Sequence, residues 1–395
     1  MKPGAHEAPG FFLFRQLQAG TVPTMTALGR FWEAARGIGR WSFAIAGILT
    51  CVGVLQVMRD GGARLPRSTA RSEGDAAMYL AIVAGMRDGD SYYQSAGREL
   101  VERHYATYPV FNWRLPTLAW AESQLPPAAW ISLMVMLGAV TASLWGVALR
   151  PVSSRIAVMV VVAHLAMLPA WMNVLALTFH DFWAGELIAC SLACHALGRR
   201  RASLVTGTLA LAIRELALVY VMTMAFGAWW RGRHREAAVW AAVIAVFGLG
   251  YLVHAHAVDQ VRLPTGLHNT WMGWTGWLGV IRASDTHLLA FLAPRWLVAM
   301  VLPWFLVGLW RYSGRARWEV ALTATAFAVL IAVAARPDNW YWGWLLTPIL
   351  PAGLAGWASS DARAASADPD RGIGSKPHET SRRASLGGEL PFENN

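Results

Sequence analysis

Carboxylates, guanidinium groups and imidazoles carry most proton-transfer and anion-binding chemistry. In this chain they stand at a few points between long uncharged runs. A polar loop holds Asp75, in Gly74-Asp75-Ala76-Ala77-Met78-Tyr79, and Arg114, in Phe111-Asn112-Trp113-Arg114-Leu115-Pro116. A short turn holds His180-Asp181, with Glu186 about one helical turn further on. Arg214-Glu215 interrupts an apolar stretch, His254 and His256 end another, and Arg336 with Asp338 precedes the last. Ionisable groups at membrane depth are expensive, so such residues mark a functional interior. Each also has a plainer use. Asp75 suits a helix N-cap, His180-Asp181 could cap a span, Arg214-Glu215 could be a self-satisfied pair in a bend, and the two histidines could be interfacial. Asp88-Gly89-Asp90 has the Asp-x-Asp form of a metal motif but reads as a turn. Convergence on one face, rather than any single motif, carries the functional reading.

The elements that must position these groups follow from composition. Of 395 residues, 55% are hydrophobic and 15% charged, against about 25% charge in a soluble domain. The 22 tryptophans suit a membrane–water boundary. Uncharged stretches at 41–58, 129–149, 156–179, 182–198, 237–258, 296–310, 318–335 and 341–358 read as spans. The stretch 202–230, interrupted by Arg214-Glu215, reads as two short helices entering and leaving by one side. The expectation is an all-α polytopic membrane protein with about ten transmembrane helices or half-helices. Surface helices, for example over 76–86, are expected in the loop 59–127. The first span lies too deep for a cleavable signal peptide.

The net charge of +10 does not point to nucleic acid, because the basic residues cluster in short loops: 30–40, 150–155, 199–201, 231–235 and 311–317. By the positive-inside rule these face the cytoplasm. Residues 1–40 are then a cytoplasmic segment, 41–358 the membrane domain, and 359–395 a disordered cytoplasmic tail, in a bacterial inner membrane. The loop 59–127, the tight turn 178–182, the segment 259–295 with Trp271, Trp274 and Trp277 at helical spacing, and the segment 336–340 fall outside. Cys51, Cys190 and Cys194 lie in apolar runs and do not read as a disulfide scaffold, and Cys190 and Cys194 read as buried small hydrophobes rather than, with His195, as metal ligands. The sequence carries no Walker-type glycine loop, paired-cysteine zinc site or Gly-x-Ser-x-Gly elbow.

The layout resembles the GT-C class of membrane glycosyltransferases, such as the protein O-mannosyltransferases and the lipid A aminoarabinose transferase. The likeness rests on Asp75 with Tyr79 after the first span, Gly89-Asp90, Trp113-Arg114-Leu115-Pro116 leading to Trp120, the acidic turn at Asp181, and the charged break Arg214-Glu215. It departs from the family pattern at Ala76, where a second acid is common, and at Arg114-Leu115-Pro116, where Lys-Pro-Pro is common. Arg keeps the charge of Lys but offers a planar fork.

The resemblance implies a polyprenyl-phosphate sugar donor and a lipid, glycan or protein acceptor. It casts Asp75 as the catalytic base, at a helix N-terminus that favours negative charge. Arg114 is then the phosphate clamp, with Arg214 and Arg336 as alternates. His180, Asp181, Glu186, Glu215 and His254 position the acceptor or a divalent metal ion, the one cofactor expected. Asp75, Arg114 and Asp181 should share a cavity. A transporter or flippase for an anionic lipid or lipid-linked sugar is the main rival, though it has no need of a long outer loop with surface helices. A non-catalytic envelope scaffold leaves the converging charges unexplained.

Overall fold

Apolar residues that find no partner within a chain need lipid around them, and the long helices carry many. In the computed structural model, which describes residues 24–61, 74–269 and 272–358, the chain is helical with no strand among the described residues. Among the described residues five helices are long and apolar enough to cross a membrane: Trp41–Arg59 (the end of a longer helix, Thr24–Arg59), Pro127–Leu149, Ser154–Trp171, His234–Val261 and Arg317–Ala334. On His234–Val261 the side chains of Val246, Leu249, Leu252 and Val253 are exposed, an outward face that water would not tolerate but lipid would. The architecture is that of an all-α membrane protein.

At the centre lies the helix His180–Ala196, buried from His180 through His195. It covers most of the expected span 182–198 but, at seventeen residues, is not one of the five long apolar helices. The helix Arg295–Arg311 matches 296–310 and runs beside the first span, with Thr50 donating to the Met300 carbonyl at 3.2 Å and Arg311 to Ser42 at 3.1 Å. The stretch 202–230 is two helices, Arg200–Ile213 and Leu218–Trp230. Arg214 between them is extended (φ −139°, ψ 118°), followed by a 3-10 turn Glu215–Ala217. The two helices fold back on each other. A Cβ placed at Gly207 would come within 2.9 Å of both the Tyr220 and Trp240 rings.

Three short helices, Gly74–Arg87, Tyr92–Glu102 and Pro116–Gln124, form the expected surface segment. Ser91 and Gln94 make a reciprocal capping box that starts the second. Arg87 closes the third by donating to the carbonyls of Glu122 at 2.7 Å and Leu125 at 3.0 Å. Asp88-Gly89-Asp90 is the turn expected. Gly89 has φ +107°, and Asp90 pairs with Arg98 at 2.6 Å.

Two expected spans, 156–179 and 341–358, are not helical throughout, the first keeping a spanning length only over Ser154–Trp171. After Ser154–Leu165 the chain makes single turns at Leu168–Trp171 and Val174–Leu177. Pro169 lacks the N–H a continuing helix needs, and Asn173 starts the second turn by accepting from the Leu175 N–H at 2.9 Å. The last stretch, 341–358, is mainly 3-10 turns, Trp340–Leu345 and Leu350–Gly353. Pro348 and Pro351 remove donors there. Gly343 and Gly353 bring its backbone onto the carbonyls of Ala283 and Phe305, where any Cβ would collide. The helix expected around the tryptophans of 271–277 begins only at Gly276. Trp274 precedes it, and Trp271 lies outside the described residues, as do the expected tail 359–395 and residues 1–23.

Three of the basic clusters, 199–201, 231–235 and 311–317, gather at one end. Arg200 reaches Glu236 at 3.4 Å, and Glu319 accepts from Arg233 at 3.0 Å, contacts Arg231 and meets His195 at 3.1 Å. Arg231 donates to the Arg315 carbonyl at 3.2 Å. The surface segment meets the His180 end of the same central helix. In a chain freed of Cys51, Cys190 and Cys194, single cysteines at positions 200 and 315 should therefore share one side and a cysteine at 338 the other. The positive-inside rule adds that an impermeant thiol reagent outside intact cells should label only position 338. Labelling of 200 and 338 from the same side would contradict the arrangement, and labelling of 200 alone would invert it.

Candidate functional site

Arg114 lies just before the helix Pro116–Gln124, whose proline at the first position needs no hydrogen-bond partner. Its guanidinium is held from several directions. Nε donates to the Tyr79 hydroxyl at 3.0 Å, Nη2 to the Tyr341 hydroxyl at 3.3 Å and Nη1 to the Phe111 carbonyl at 3.3 Å. The Tyr92 hydroxyl donates to the Arg114 carbonyl at 2.5 Å. These bonds bring two of the short helices and the 3-10 turn at Tyr341 onto one residue, Tyr79 and Tyr341 at its guanidinium and Tyr92 at its carbonyl.

Asp75 stands in the first turn of its helix, half-buried, and its Oδ1 accepts from the Tyr105 hydroxyl at 2.8 Å. It therefore has a partner beyond its own helix end. Burial, and then the negative charge of Asp75, push the Tyr105 phenol up from its ordinary range. Asp75 and Arg114 line one cavity of about 90 Å³ with Tyr79, Tyr105, Arg336, Asp338 and Tyr341. Arg336 is paired with Asp338, its Nε donating at 3.1 Å. The space thus holds two carboxylates, two guanidinium groups and three phenols.

Behind Arg114 lies a buried layer. Glu215 Oε1 is 3.8 Å from Arg114 Nη1 and accepts from Arg214. Arg214, fully buried, donates from Nε to Asp181 Oδ1 at 2.9 Å. Asp181, Arg214 and Glu215 therefore form a chain of alternating charge ending on Arg114. Asp181 and Arg214 do not line the cavity with Asp75; they support it from within. His180 is buried against the Tyr79 ring, with centroids 5.4 Å apart, and neither of its ring nitrogens has a hydrogen-bond partner.

Other expected site residues lie apart. Glu186 pairs with His164 at 2.7 Å inside the helix bundle and does not reach the cavity. His254 is buried and shares a hydrogen bond with the Tyr93 hydroxyl at 3.1 Å, fastening the helix His234–Val261 to the surface segment, while His256 is exposed. Among the described residues no group of three or more His, Cys, Asp or Glu is placed to hold a metal ion. His195, beside Cys194, is turned to Glu319.

Sequence reasoning passed over Tyr105, whose distance from Asp75 along the chain gave no hint of contact. It also passed over Glu122, which is buried on the helix Pro116–Gln124. Leu118, Ala119 and Glu122 are the buried positions of that helix, at the i, i+1, i+4 spacing of one face, and that periodicity was a usable signal. With Tyr79, Tyr92, Thr178 and His180, Glu122 lines a space of about 10 Å³, the room of a single water.

Comparison with known proteins finds no matching family model, no matching curated protein and no matching solved structure.

Burial pushes the Glu122 carboxyl up from 4.5 to about 8, against a smaller opposing pull from Arg87. The folded chain then holds a proton that the unfolded chain has released across that window, so this group's contribution to stability falls as pH rises from 4.5 to about 8. Glu122→Gln, an uncharged isostere, should remove that fall. Thermal denaturation of both proteins in lipid nanodiscs across the window should give curves that converge at the acid end, with the variant more stable at the alkaline end. Parallel curves would show that Glu122 keeps an ordinary affinity for its proton.

Proposed function

We propose that the chain is a membrane glycosyltransferase that takes a sugar from a polyprenyl-phosphate donor and places it on an acceptor hydroxyl at the non-cytoplasmic face. The observation that carries the reading is the cavity that Asp75, Arg114 and Arg336 line together. A carboxylate and a pair of guanidinium groups are the two parts this displacement requires. The GT-C resemblance assigns the same roles to Asp75 and Arg114.

In the proposed reaction the acceptor oxygen attacks the anomeric carbon while Asp75 takes its proton. The bond from that carbon to the phosphate oxygen breaks on the opposite side, and its electron pair stays with the phosphate. Arg114 stabilises the charge that develops there, with Arg336 beside it. The sugar is inverted, and the proton rests on the Asp75 carboxyl. Tyr105 fixes the orientation of Asp75 through its hydrogen bond. Tyr79 and Tyr341 hold the Arg114 fork, and Asp181, Arg214 and Glu215 support that fork from behind. His180 faces Tyr79 from the buried layer as a positioning group, and Glu186 and His254 serve the scaffold.

Asp75→Asn keeps the size of the side chain but cannot take a proton, and loss of a general base costs about 10²–10⁴-fold in rate. In proteoliposomes given a radiolabelled polyprenyl-phosphate sugar, Asp75→Asn should lose transfer by that factor while inserting normally. Arg114→Ala should chiefly impair donor use, and Arg114→Lys should recover part of it if a point charge suffices. Near-wild-type transfer by Asp75→Asn would remove Asp75 from the mechanism. Donor movement across the bilayer without transfer to any acceptor would favour the transporter reading.

A further inference from the structure

A larger cavity lies outside the site. A groove of about 550 Å³ runs between the helix Pro116–Gln124 and the turn joining Gly74–Arg87 to Tyr92–Glu102. One wall is a single helical stripe, Pro116, Thr117, Trp120, Ser123 and Gln124, spaced i, i+1, i+4, i+7, i+8. Trp120 is 62% exposed on that wall.

We propose that this groove binds a neutral carbohydrate portion of the acceptor, which makes the acceptor a glycan; the proposal rests on the glycosyltransferase reading. Three observations carry it. The lining is mixed: the Trp120 indole with Met86 and Pro116, beside the hydroxyls of Ser91, Thr117 and Ser123 and the Gln124 amide. A sugar ring matches that mixture, since its C–H face lies on an aromatic ring while its hydroxyls hydrogen-bond at the rim. Ser123 donates to the Trp120 carbonyl at 2.7 Å and accepts from Gln124 at 2.9 Å, and Ser91 donates to Gln94 at 2.8 Å, so these groups are held in place by the chain and offer their remaining hydrogen-bonding capacity to a ligand. The groove also lacks net charge to attract an ion, because its acid, Asp90, is already paired with Arg98 at 2.6 Å. Lastly, the groove adjoins the site. Tyr92 lines it and donates its hydroxyl to the Arg114 carbonyl, and Pro116 follows Arg114 by two residues. A volume of this size falls in the ordinary range of small-ligand pockets.

An exposed tryptophan near a membrane can also be a lipid anchor, and the choice of variant separates the two roles. Trp120→Leu keeps an apolar anchor but removes the flat ring, whereas Trp120→Phe keeps a ring. The full-length protein in nanodiscs is exposed to an array of neutral and acidic oligosaccharides. Wild type and Trp120→Phe should retain one or more neutral glycans, and Trp120→Leu should lose at least about tenfold in affinity, a tenfold loss being 1.4 kcal/mol. In transfer assays with the retained glycan, Trp120→Leu should raise the acceptor KM by a similar factor and leave the donor KM unchanged. No neutral glycan held by wild type, or equal retention by Trp120→Leu, overturns the proposal. Glycan binding without sugar transfer would leave the groove standing and remove the transferase reading. Transfer to a lipid or protein, with no glycan bound, would do the reverse.

Discussion

A guanidinium group with no exposure to solvent, deep in a helical membrane protein, must find opposite charge within the chain. Arg214 finds two carboxylates, Asp181 on the central helix and Glu215 beside it. To reach both, the chain leaves helical geometry at Arg214, and this break turns 202–230 into a hairpin. Glu215 then extends toward Arg114 in the surface segment. One buried cation thus joins the central helix, the hairpin and the short helices that carry Asp75. Taking away one partner of such a cluster costs about 3–5 kcal/mol, because the charges left behind cannot be solvated. The arrangement of the site depends on that cost.

The central helix gives the molecule two charged poles. Asp181 sits at one end and His195 at the other, about 20 Å apart at 1.5 Å per residue. At the second pole the carboxylates of Glu319 and Glu236 gather Arg200, Arg231, Arg233 and His195. There the cations outnumber the acids and close the helix ends, while at the first pole the acids and cations alternate. A third cluster, in which Arg282 and Arg295 meet Asp60 and Arg295 also meets Asp285 at 3.0 Å, ties the end of the first span to the helices beside it. The small residues Gly343 and Gly353 do the corresponding work for the last segment, letting backbones touch where side chains would hold them apart.

Much of this was legible in the chain because charge is rare there. The break at Arg214-Glu215 could be read because two ionisable residues interrupt an apolar run that is too long for one pass. A helix over 76–86 could be expected in the long loop, and the turn at Asp88-Gly89-Asp90 from its residue types. The last segment misled, since 341–358 is apolar enough for a span but its prolines and glycines favour tight turns and close packing. Glu186 lies one turn from Asp181 and seemed to belong with it, yet the helix carries it down into the bundle to His164. Side-chain partners between distant segments, such as Tyr105 with Asp75 or Tyr341 with Arg114, have no local signature, and only the tertiary fold brings them together.

The central claim is that the cavity at Asp75, Arg114 and Arg336 receives the phosphate of a lipid-linked sugar. The most direct measurement is an electron cryo-microscopy map of the protein in nanodiscs containing a polyprenyl phosphate. The account predicts phosphate density against the Arg114 guanidinium, within reach of Arg336, with the polyprenyl chain leaving the cavity toward lipid. Phosphate density at the opposite pole, among Arg200, Arg231 and Arg233, with the Arg114 cavity empty, would contradict it.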